Sequence, residues 1–231
     1  MSYPLRYALL LDGGFLIRKL AGQLRTFPTA HDVESIANAV ADHECVADLS
    51  RLRVYFYHAP PAVEELTNPI SKEVLHLSTT AFSANNRQLL NTLVNRPDFA
   101  LRLGETATHG WKLGPRSLDN LIRVQRPIEA ADLIPIIEQK GVDLRIGLDI
   151  ARLALTRAVQ AIVVVTGDSD LVPAFKFARR EGIRVFLCHL DHGIRRELRE
   201  HADRVIDIPP LLPLAKHDAN HLQHRQPIHR L

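Results

Sequence analysis

The chain has 231 residues, enough for one sizeable domain, and its 46% hydrophobic and 24% charged residues are ordinary for a globular protein. No uninterrupted apolar run approaches the roughly 18 residues that a membrane-spanning helix needs, so the sequence predicts no membrane segment. The formal net charge of +3 permits a polyanionic partner without requiring one. Cys45 and Cys188 lie far apart, which argues against a disulfide framework or a zinc site and favours a reduced, cytoplasmic setting.

The N-terminal half begins with a short apolar strand, Tyr7–Leu11, which ends at Asp12 rather than at the small-residue cleavage site of a signal peptide. The spacing of apolar residues then predicts, in chain order, helix Phe15–Leu24, a helix from about Asp32 to Leu49, strand Arg53–Tyr57, helical pieces within 62–96 (clearest at Asn86–Val94) and strand Ala100–Leu103. Gly104–Asn120, which holds the only tryptophan, predicts an inserted loop or hairpin. Ala130–Gln139 predicts a helix that starts or kinks near Pro135.

The C-terminal half alternates helices and strands. The predicted elements are helix Leu144–Ala158, strand Ala161–Thr166, helix Asp170–Glu181, strand Ile183–Cys188, helix Ile194–Ala202 and strand Arg204–Ile208. This alternation predicts a three-layer α/β/α fold with a mainly parallel central sheet. We expect one domain over 1–208 and a flexible tail over 209–231, which is rich in proline and histidine; an unstructured tail is favoured over a metal-binding one.

Three aspartates lie where predicted strands end. Asp12 follows the first strand, and Asp168 and Asp170 follow the strand Ala161–Thr166. Each alone is compatible with an ordinary turn or helix cap. Because the carboxyl ends of parallel strands meet at one edge of a sheet, the three carboxylates are expected together, where they repel each other unless a cation neutralises them. Mg²⁺ and Mn²⁺ prefer such oxygen ligands.

Two further aspartates lie in QKGVDLRIGLDIARL. Asp143 follows Gly141 at the predicted N-cap of a helix, where its side chain can turn toward the strand ends. Asp149 lies four residues after Arg145 and three before Arg152, a spacing that predicts a solvated, ion-paired stripe. From spacing alone, Asp143 is therefore the stronger site residue.

Three motifs together resemble the NYN domain, the LabA-like branch of the PIN-like nuclease superfamily. They are LLLDGG, QKGVD followed by an apolar helix with an internal aspartate, and VVVTGDSDLVP; the closing ELREHADRVIDI is also similar, so that the resemblance spans Tyr7–Ile208. The resemblance implies a parallel-sheet α/β fold and metal-dependent ribonuclease activity. Many family members have an asparagine three residues after the first aspartate, where this chain has Phe15.

The resemblance also implies roles for individual residues. The residues predicted to be catalytic are Asp12, Asp143, Asp168 and Asp170, of which Asp12, Asp143 and Asp168 would bind one or two Mg²⁺ or Mn²⁺ ions. Asp149 and Lys140 match family positions that would support the site or contact substrate.

Five further residues, in two segments of the chain, are candidates for substrate contact. Thr166 and Ser169 either hydrogen-bond a phosphate or orient a carboxylate, or else form a plain turn. In the Gly104–Asn120 segment, Trp111, Lys112 and Arg116 are candidates to stack on and steer single-stranded RNA, although a place in the core is the commoner outcome for a tryptophan such as Trp111. RNA is the expected partner, and a homo-oligomer is left open.

Two other functions stay open at this point. A non-catalytic RNA- or protein-binding regulatory module on the same fold would account for Phe15 and for the weak net charge. A haloacid-dehalogenase-like phosphatase also places aspartates after parallel strands, but it needs a second aspartate two residues after the first, where this chain has Gly14.

Overall fold

A computed structural model describes residues 5–208, so the predicted tail at 209–231 lies outside the described residues. Within residues 5–208 the strands are β1 (Arg6–Asp12), β2 (Ser50–His58), β3 (Glu65–Thr67), β4 (Val74–His76), β5 (Phe99–Leu103), β6 (Glu105–Leu113), β7 (Leu133–Lys140), β8 (Ala161–Val165), β9 (Arg184–Cys188) and β10 (Arg204–Val205). The α-helices of the same range are α1 (Gly13–Leu24), α2 (Ala30–Ala41), α3 (Ala81–Leu93), α4 (Pro115–Val124), α5 (Val142–Leu155), α6 (Val172–Arg180) and α7 (Arg196–Glu200). In this part of the chain no helix is long and apolar enough to cross a membrane.

The central sheet has six strands in the order β10-β9-β8-β1-β2-β5, and every neighbouring pair is parallel. Side chains of a strand alternate between the two faces of a sheet. Leu9 and Leu11 of β1 therefore pack with α1, α2 and α3, whereas Ala8 and Leu10 pack with α5, α6 and α7. Both faces are covered, which explains why β1 and β8 are continuous apolar runs rather than alternating ones. The predicted three-layer α/β/α fold with a parallel central sheet is confirmed.

Two small antiparallel hairpins are added to this core. The first, β3–β4, occupies 65–76, so the prediction of helical pieces is wrong there and right at α3. The second pairs β6 with β7 and carries α4 in its connection. The helix predicted over Ala130–Gln139 is therefore wrong: β7 occupies most of it, because Pro135 fits a strand of a two-stranded sheet but not the interior of a helix.

Two helices have bounds that differ from the predicted ones. The helix predicted over Asp32–Leu49 starts at Ala30, where Thr29 and Asp32 form a capping box, and ends at Ala41. α6 starts at Val172 instead of Asp170 because a short 3-10 turn, Ser169–Leu171, precedes it.

The first turn of α1 lies directly against the end of β2. A Cβ atom on Gly13 would lie 2.5 Å from the carbonyl oxygen of Tyr57 and 2.8 Å from the ring of Phe56. Only glycine permits this approach, which fixes the position of the preceding residue, Asp12.

We therefore expect Gly13→Ala to lower the free energy of unfolding by about 1–3 kcal/mol, because the added methyl group meets backbone that cannot move aside. Gly22 is the matched control on the same helix: a Cβ there would meet nothing within 4 Å. Gly22→Ala is expected to raise stability by about 0.5–1 kcal/mol. Urea denaturation measures both, and equal effects of the two substitutions would contradict the close approach.

Candidate metal and nucleic-acid site

The predicted acidic residues gather where the sheet reverses its strand order. The chain runs from β1 to β2 on one side and later returns to β8 on the other side of β1. Ligands of open α/β sheets bind beyond the carboxyl ends of the strands at such a switch point. A cleft of about 990 Å³ opens there, and Asp12, Asp143 and Asp168 all line it. Its other walls come from α1, from the segment 59–62 and α3, and from the β6–β7 hairpin.

Asp12 is held by two hydrogen-bond donors. It is buried and caps α1, accepting the N–H of Phe15 at Oδ1 over 3.0 Å. Its Oδ2 accepts the hydroxyl of Thr166 over 3.0 Å, and that hydroxyl oxygen accepts the N–H of Asp168 over 3.1 Å. Thr166 thus orients a carboxylate, one of the two roles that its position suggested. Each oxygen of Asp12 retains lone-pair capacity for a further ligand.

Asp168 and Asp170 are placed differently, although they lie two residues apart. Asp168 is half-buried, lines the cleft and accepts the N–H of Asp170 at Oδ1 over 2.9 Å. Asp170 is exposed and lies in the 3-10 turn with Ser169. Neither Ser169 nor Asp170 is among the described residues that line the cleft.

Asp143 is exposed at the first turn of α5. The prediction that it is the N-cap is wrong, because Gly141 takes that position with φ 73°, a left-handed conformation suited to glycine. Asp143 therefore projects from inside the helix, near the positive end of its dipole.

The carboxylates influence each other across the cleft. Burial raises the pKa of Asp12, and the charge of Asp168 adds to this; the N–H of Phe15, the hydroxyl of Thr166 and the Arg18 guanidinium act in the opposite direction. Asp143 is exposed as a residue, but partial desolvation of its carboxyl group raises its pKa; the charges of Asp12, Asp168 and Asp170 add to this, and Arg18 acts in the opposite direction. The site therefore carries a concentrated negative charge that a cation would relieve.

This donor set suits a hard divalent cation. Among residues 5–208, no group of three or more His, Cys, Asp or Glu side chains is already arranged to hold a metal ion. Mg²⁺, however, commonly binds only one or two carboxylates and completes its shell with waters and substrate phosphate oxygens. Asp12 and the other two carboxylates of the cleft fit that pattern, since the charge of Asp168 raises the pKa of Asp12 and the charges of Asp12 and Asp168 raise that of Asp143.

Several polar residues of the cleft were missed by sequence reasoning, among them Arg18, His58, Asn86 and Gln139. Arg18 is exposed, and no hydrogen bond or ion pair with any residue of 5–208 occupies its guanidinium. A Cβ placed on Gly14 would have Gln139 Oε1 at 3.4 Å, Asp12 Oδ1 at 3.5 Å and Arg18 Nη1 at 3.8 Å, so these three side chains surround Gly14. The position of His58 at the end of β2, beside the end of β1, is the signal that would have found it.

Asp149 lies apart from the cleft lining among the described residues. It is buried rather than solvated, and accepts hydrogen bonds from the Tyr57 hydroxyl over 2.9 Å, from Arg102 Nε over 2.9 Å and from Arg152 Nε over 3.1 Å. The predicted pairing with Arg152 is confirmed, whereas Arg145 instead donates to the carbonyl of Gly141. Asp149 joins α5 to β2 and β5.

Because the carboxylate of Asp149 is buried, we expect Asp149→Ala to lower the free energy of unfolding by about 2–4 kcal/mol, leaving the buried Tyr57 hydroxyl and two partly exposed guanidinium groups without their acceptor. Glu200→Ala is the control: it removes the exposed Arg196–Glu200 ion pair of 2.6 Å on α7, worth about 0–1 kcal/mol. Chemical denaturation of both variants measures the difference, and similar losses would show that the Asp149 network contributes no more than a surface pair.

The residues expected to contact RNA separate in the structure. Lys112 is exposed and lines the cleft. Trp111, its neighbour on β6, is half-buried, and its indole N–H is buried without a partner among the described residues. Arg116 lies on the first turn of α4, and Lys140 is exposed at the end of β7, opposite Glu105; both are outside the described lining of the cleft.

The C-terminal half of the chain is similar to a known protein family. The family model of the NYN domain matches residues 112–212, the part that holds Asp143, Asp168 and Asp170, and confirms the resemblance for the QKGVD and VVVTGDSDLVP motifs. The match indicates a PIN-like nuclease fold. A solved structure of a Vibrio parahaemolyticus protein of unknown function is similar over 89% of this chain and 94% of that chain, with 14% sequence identity and a TM-score of 0.47. No curated protein sequence matches the chain.

Proposed function

We propose that the chain is a Mg²⁺- or Mn²⁺-dependent ribonuclease that hydrolyses phosphodiester bonds of single-stranded RNA. One observation carries the proposal: Asp12, Asp143 and Asp168 line one cleft at the carboxyl edge of the sheet, where the charge of Asp168 raises the pKa of Asp12 and the charges of Asp12 and Asp168 raise the pKa of Asp143. Carboxylates that repel one another in an open cleft are costly for the fold unless they bind a cation.

The residues of the chain have distinct tasks in this proposal. Asp12, Asp143 and Asp168 would hold the ion, with Asp12 fixed in orientation by Phe15 and Thr166. A bound divalent ion lowers the pKa of a coordinated water and stabilises the leaving oxygen of the phosphodiester. Arg18, whose guanidinium has no partner within 5–208, would bind the non-bridging phosphate oxygens and neutralise the charge that develops as water attacks phosphorus.

A second candidate is a non-catalytic RNA-binding module on the same fold. Two observations favour it: the carboxylates within residues 5–208 are not already arranged to hold an ion, and Phe15 packs its ring against His192, with 5.5 Å between the centroids, where many family members place a polar asparagine.

Cleavage of a labelled single-stranded RNA separates these functions. We expect the wild-type protein to cleave it with Mn²⁺ or Mg²⁺ and to be inactive with a chelator, and Asp168→Asn to lose at least about 100-fold in rate while still binding RNA. Asp119→Asn, an identical charge change on the exposed face of α4, is the control and retains activity. RNA binding without cleavage by either the wild type or Asp168→Asn would establish the binding module instead. Release of phosphate from a small phosphoester, with RNA left intact, would indicate a phosphatase.

A further inference from the structure

The cleft becomes apolar with distance from the carboxylates. Gly14 on α1 lies beside the first of them, and Ala21, two turns farther along the same face of the helix, also lines the cleft. On β7, Gln139 lies beside Gly14, and Ile137 and Pro135 follow it at alternate positions, which share one face of the strand. Both elements thus lead away from the carboxylates toward an apolar end of the cleft.

The apolar end holds an exposed aromatic ring. Phe82, on the first turn of α3, lines the cleft and is 45% exposed. Its ring packs at 84° to that of the buried Phe27, with 5.7 Å between the centroids, and Phe27 lies just after α1, at the end of the helix remote from the carboxylates. Because the contact is edge-to-face, Phe27 covers at most one face of the Phe82 ring. Thr80 caps α3 by accepting the N–H of Ser83 over 3.2 Å, so Phe82 offers the cleft a positioned aromatic surface.

Cations accompany this aromatic surface. Arg18 lies at the carboxylate end of the cleft, and Lys112, exposed on β6, lines the cleft as well. Pro61 and Ala62, in the wall that also contains α3, have no hydrogen-bonding side chain. Proteins that bind single-stranded nucleic acid combine cationic groups along the backbone with aromatic rings on which bases stack, and such stacking tolerates every base because each has a π-face. An apolar peptide, by contrast, would leave both cations without a counterpart.

The length of α1 limits the distance between a base on Phe82 and a phosphate at Arg18. From Gly14 to Ala21 the helix rises about 10 Å. Stacked nucleotides rise about 3.4 Å each along a strand, and those of an extended strand rise more. We therefore expect the stacked base to lie within about three nucleotides of the cleaved bond.

We propose that Phe82 is a stacking platform for one unpaired nucleobase of the substrate strand, whichever base that is, and that this contact positions the strand for cleavage. The inference rests on the proposed function, because that function assigns the phosphate to Arg18 and the cleaved bond to the carboxylates. In a duplex, the neighbouring base pairs cover both faces of a base, so a paired strand does not engage Phe82. The platform therefore restricts cleavage to unpaired segments of RNA. Phe82 is a positioning residue.

Cleavage of a strand that lacks one base tests the platform. End-labelled oligouridylate with a single abasic ribose at its centre is digested by the wild-type protein in Mn²⁺, and the products are resolved to single nucleotides. We expect cleavage to fall about 5- to 100-fold at one bond, on one side of the abasic residue and within about three nucleotides of it, which is the effect of losing one base–aromatic stack. The same pattern is expected with oligocytidylate, because stacking tolerates either base.

Variants at Phe82 separate stacking from simple packing. Phe82→Leu keeps an apolar side chain next to Phe27 but removes the ring. We expect it to reduce cleavage of the intact strand about 5- to 100-fold and to bring the abasic effect below about 2-fold, whereas Phe82→Trp retains cleavage and the abasic effect. Val94→Ala is the control: Val94 is 59% exposed at the C-terminal end of α3, outside the described lining of the cleft, and its substitution should change neither. Thermal melting of each variant verifies the fold.

Binding distinguishes failure of this inference from failure of the proposed function. Affinities of the Asp168→Asn protein for oligouridylate and for a fully abasic ribose–phosphate strand are measured by fluorescence anisotropy in Mn²⁺. Adding Phe82→Leu should weaken binding of the first strand about 5- to 100-fold and of the second less than about 2-fold. Wild-type cleavage without an abasic effect, or with one that persists in Phe82→Leu, overturns the inference and keeps the nuclease. Base binding that depends on Phe82 without any cleavage supports the platform and refutes the nuclease, and absence of both refutes both proposals.

Discussion

Asp12→Asn is expected to abolish divalent-ion binding and RNA cleavage while leaving the protein at least as stable as the wild type. Asparagine caps helices as well as aspartate does, and its carbonyl oxygen still accepts the N–H of Phe15. Its NH₂ group can donate to the hydroxyl oxygen of Thr166, which reverses that hydrogen bond without removing it. Only the charge is lost.

The stability effect of this substitution depends on pH in a direction that the pKa of Asp12 determines. Burial raises that pKa in the folded state, so the ionised carboxylate disfavours folding. The wild type therefore loses stability relative to Asp12→Asn as the pH rises from the ordinary carboxyl pKa through the raised pKa of the folded state. Below the ordinary carboxyl pKa the carboxyl group is protonated in both states, and the stabilities of the two proteins converge. We expect the variant to be more stable by about 1 kcal/mol at pH 7, a usual gain when an active-site charge is removed.

Thermal melting with and without Mn²⁺ tests both parts. A ligand that binds only the folded state at about 100 times its Kd adds about 2.7 kcal/mol, which raises the melting temperature of the wild type and of the Asp119→Asn control. Asp12→Asn is expected to show no such shift. A variant that melts well below the wild type without metal would mean that Asp12 is chiefly a structural cap, and a retained Mn²⁺ shift would mean that Asp12 does not hold the ion.

Much of the central sheet could be predicted because its strands are buried on both faces. Tyr7–Leu11 and Ala161–Thr166 are short, continuous apolar runs that end at turn residues, and β1 and β8 follow them within a residue or two. The β6–β7 hairpin could not be predicted in the same way. Its strands pair across a long connection that contains α4, so Pro135 argues locally against a helix interior but nothing in Ala130–Gln139 indicates the partner strand.

The same reasoning separates the site residues that sequence could find from those it could not. Asp12 and Asp168 follow parallel strands, so a general rule about sheet edges brings them together. Asp149 was misplaced on a solvated stripe because two of its partners, Tyr57 and Arg102, lie on strands far away in the sequence. Helical periodicity gives the direction of a side chain but not what lies opposite it.

Arg18 escaped the sequence analysis for a different reason. It belongs to no motif, and its importance comes from its surroundings: it lies beside Gly14 and lowers the pKa of Asp12, Asp143 and His58 at once. Arg18 is an exposed arginine in a cleft of carboxylates, and within residues 5–208 it makes no hydrogen bond or ion pair. It therefore gives the strongest prediction about substrate binding.

Arg18→Gln is expected to weaken RNA binding and to move the acid limb of the pH–rate profile to higher pH. The charge of Arg18 lowers the pKa of Asp12 and of Asp143, so its removal raises both, and cation binding then requires a higher pH to ionise the carboxylates. Cleavage should therefore fall more at pH 6 than at pH 8, by about 10–100-fold overall. Loss of one phosphate contact should also reduce the slope of log K against log salt concentration for single-strand binding by about 0.7.

Lys19→Gln is the control. It removes the same charge from the next residue of α1, which is outside the described lining of the cleft, and should change neither the acid limb nor the ratio of rates at the two pH values. Equal changes in the acid limb and in the rate ratio of the two variants would mean that Arg18 acts only through net surface charge. The reason is that only a guanidinium facing both the carboxylates and the phosphate couples RNA affinity to the ionisation of Asp12 and Asp143.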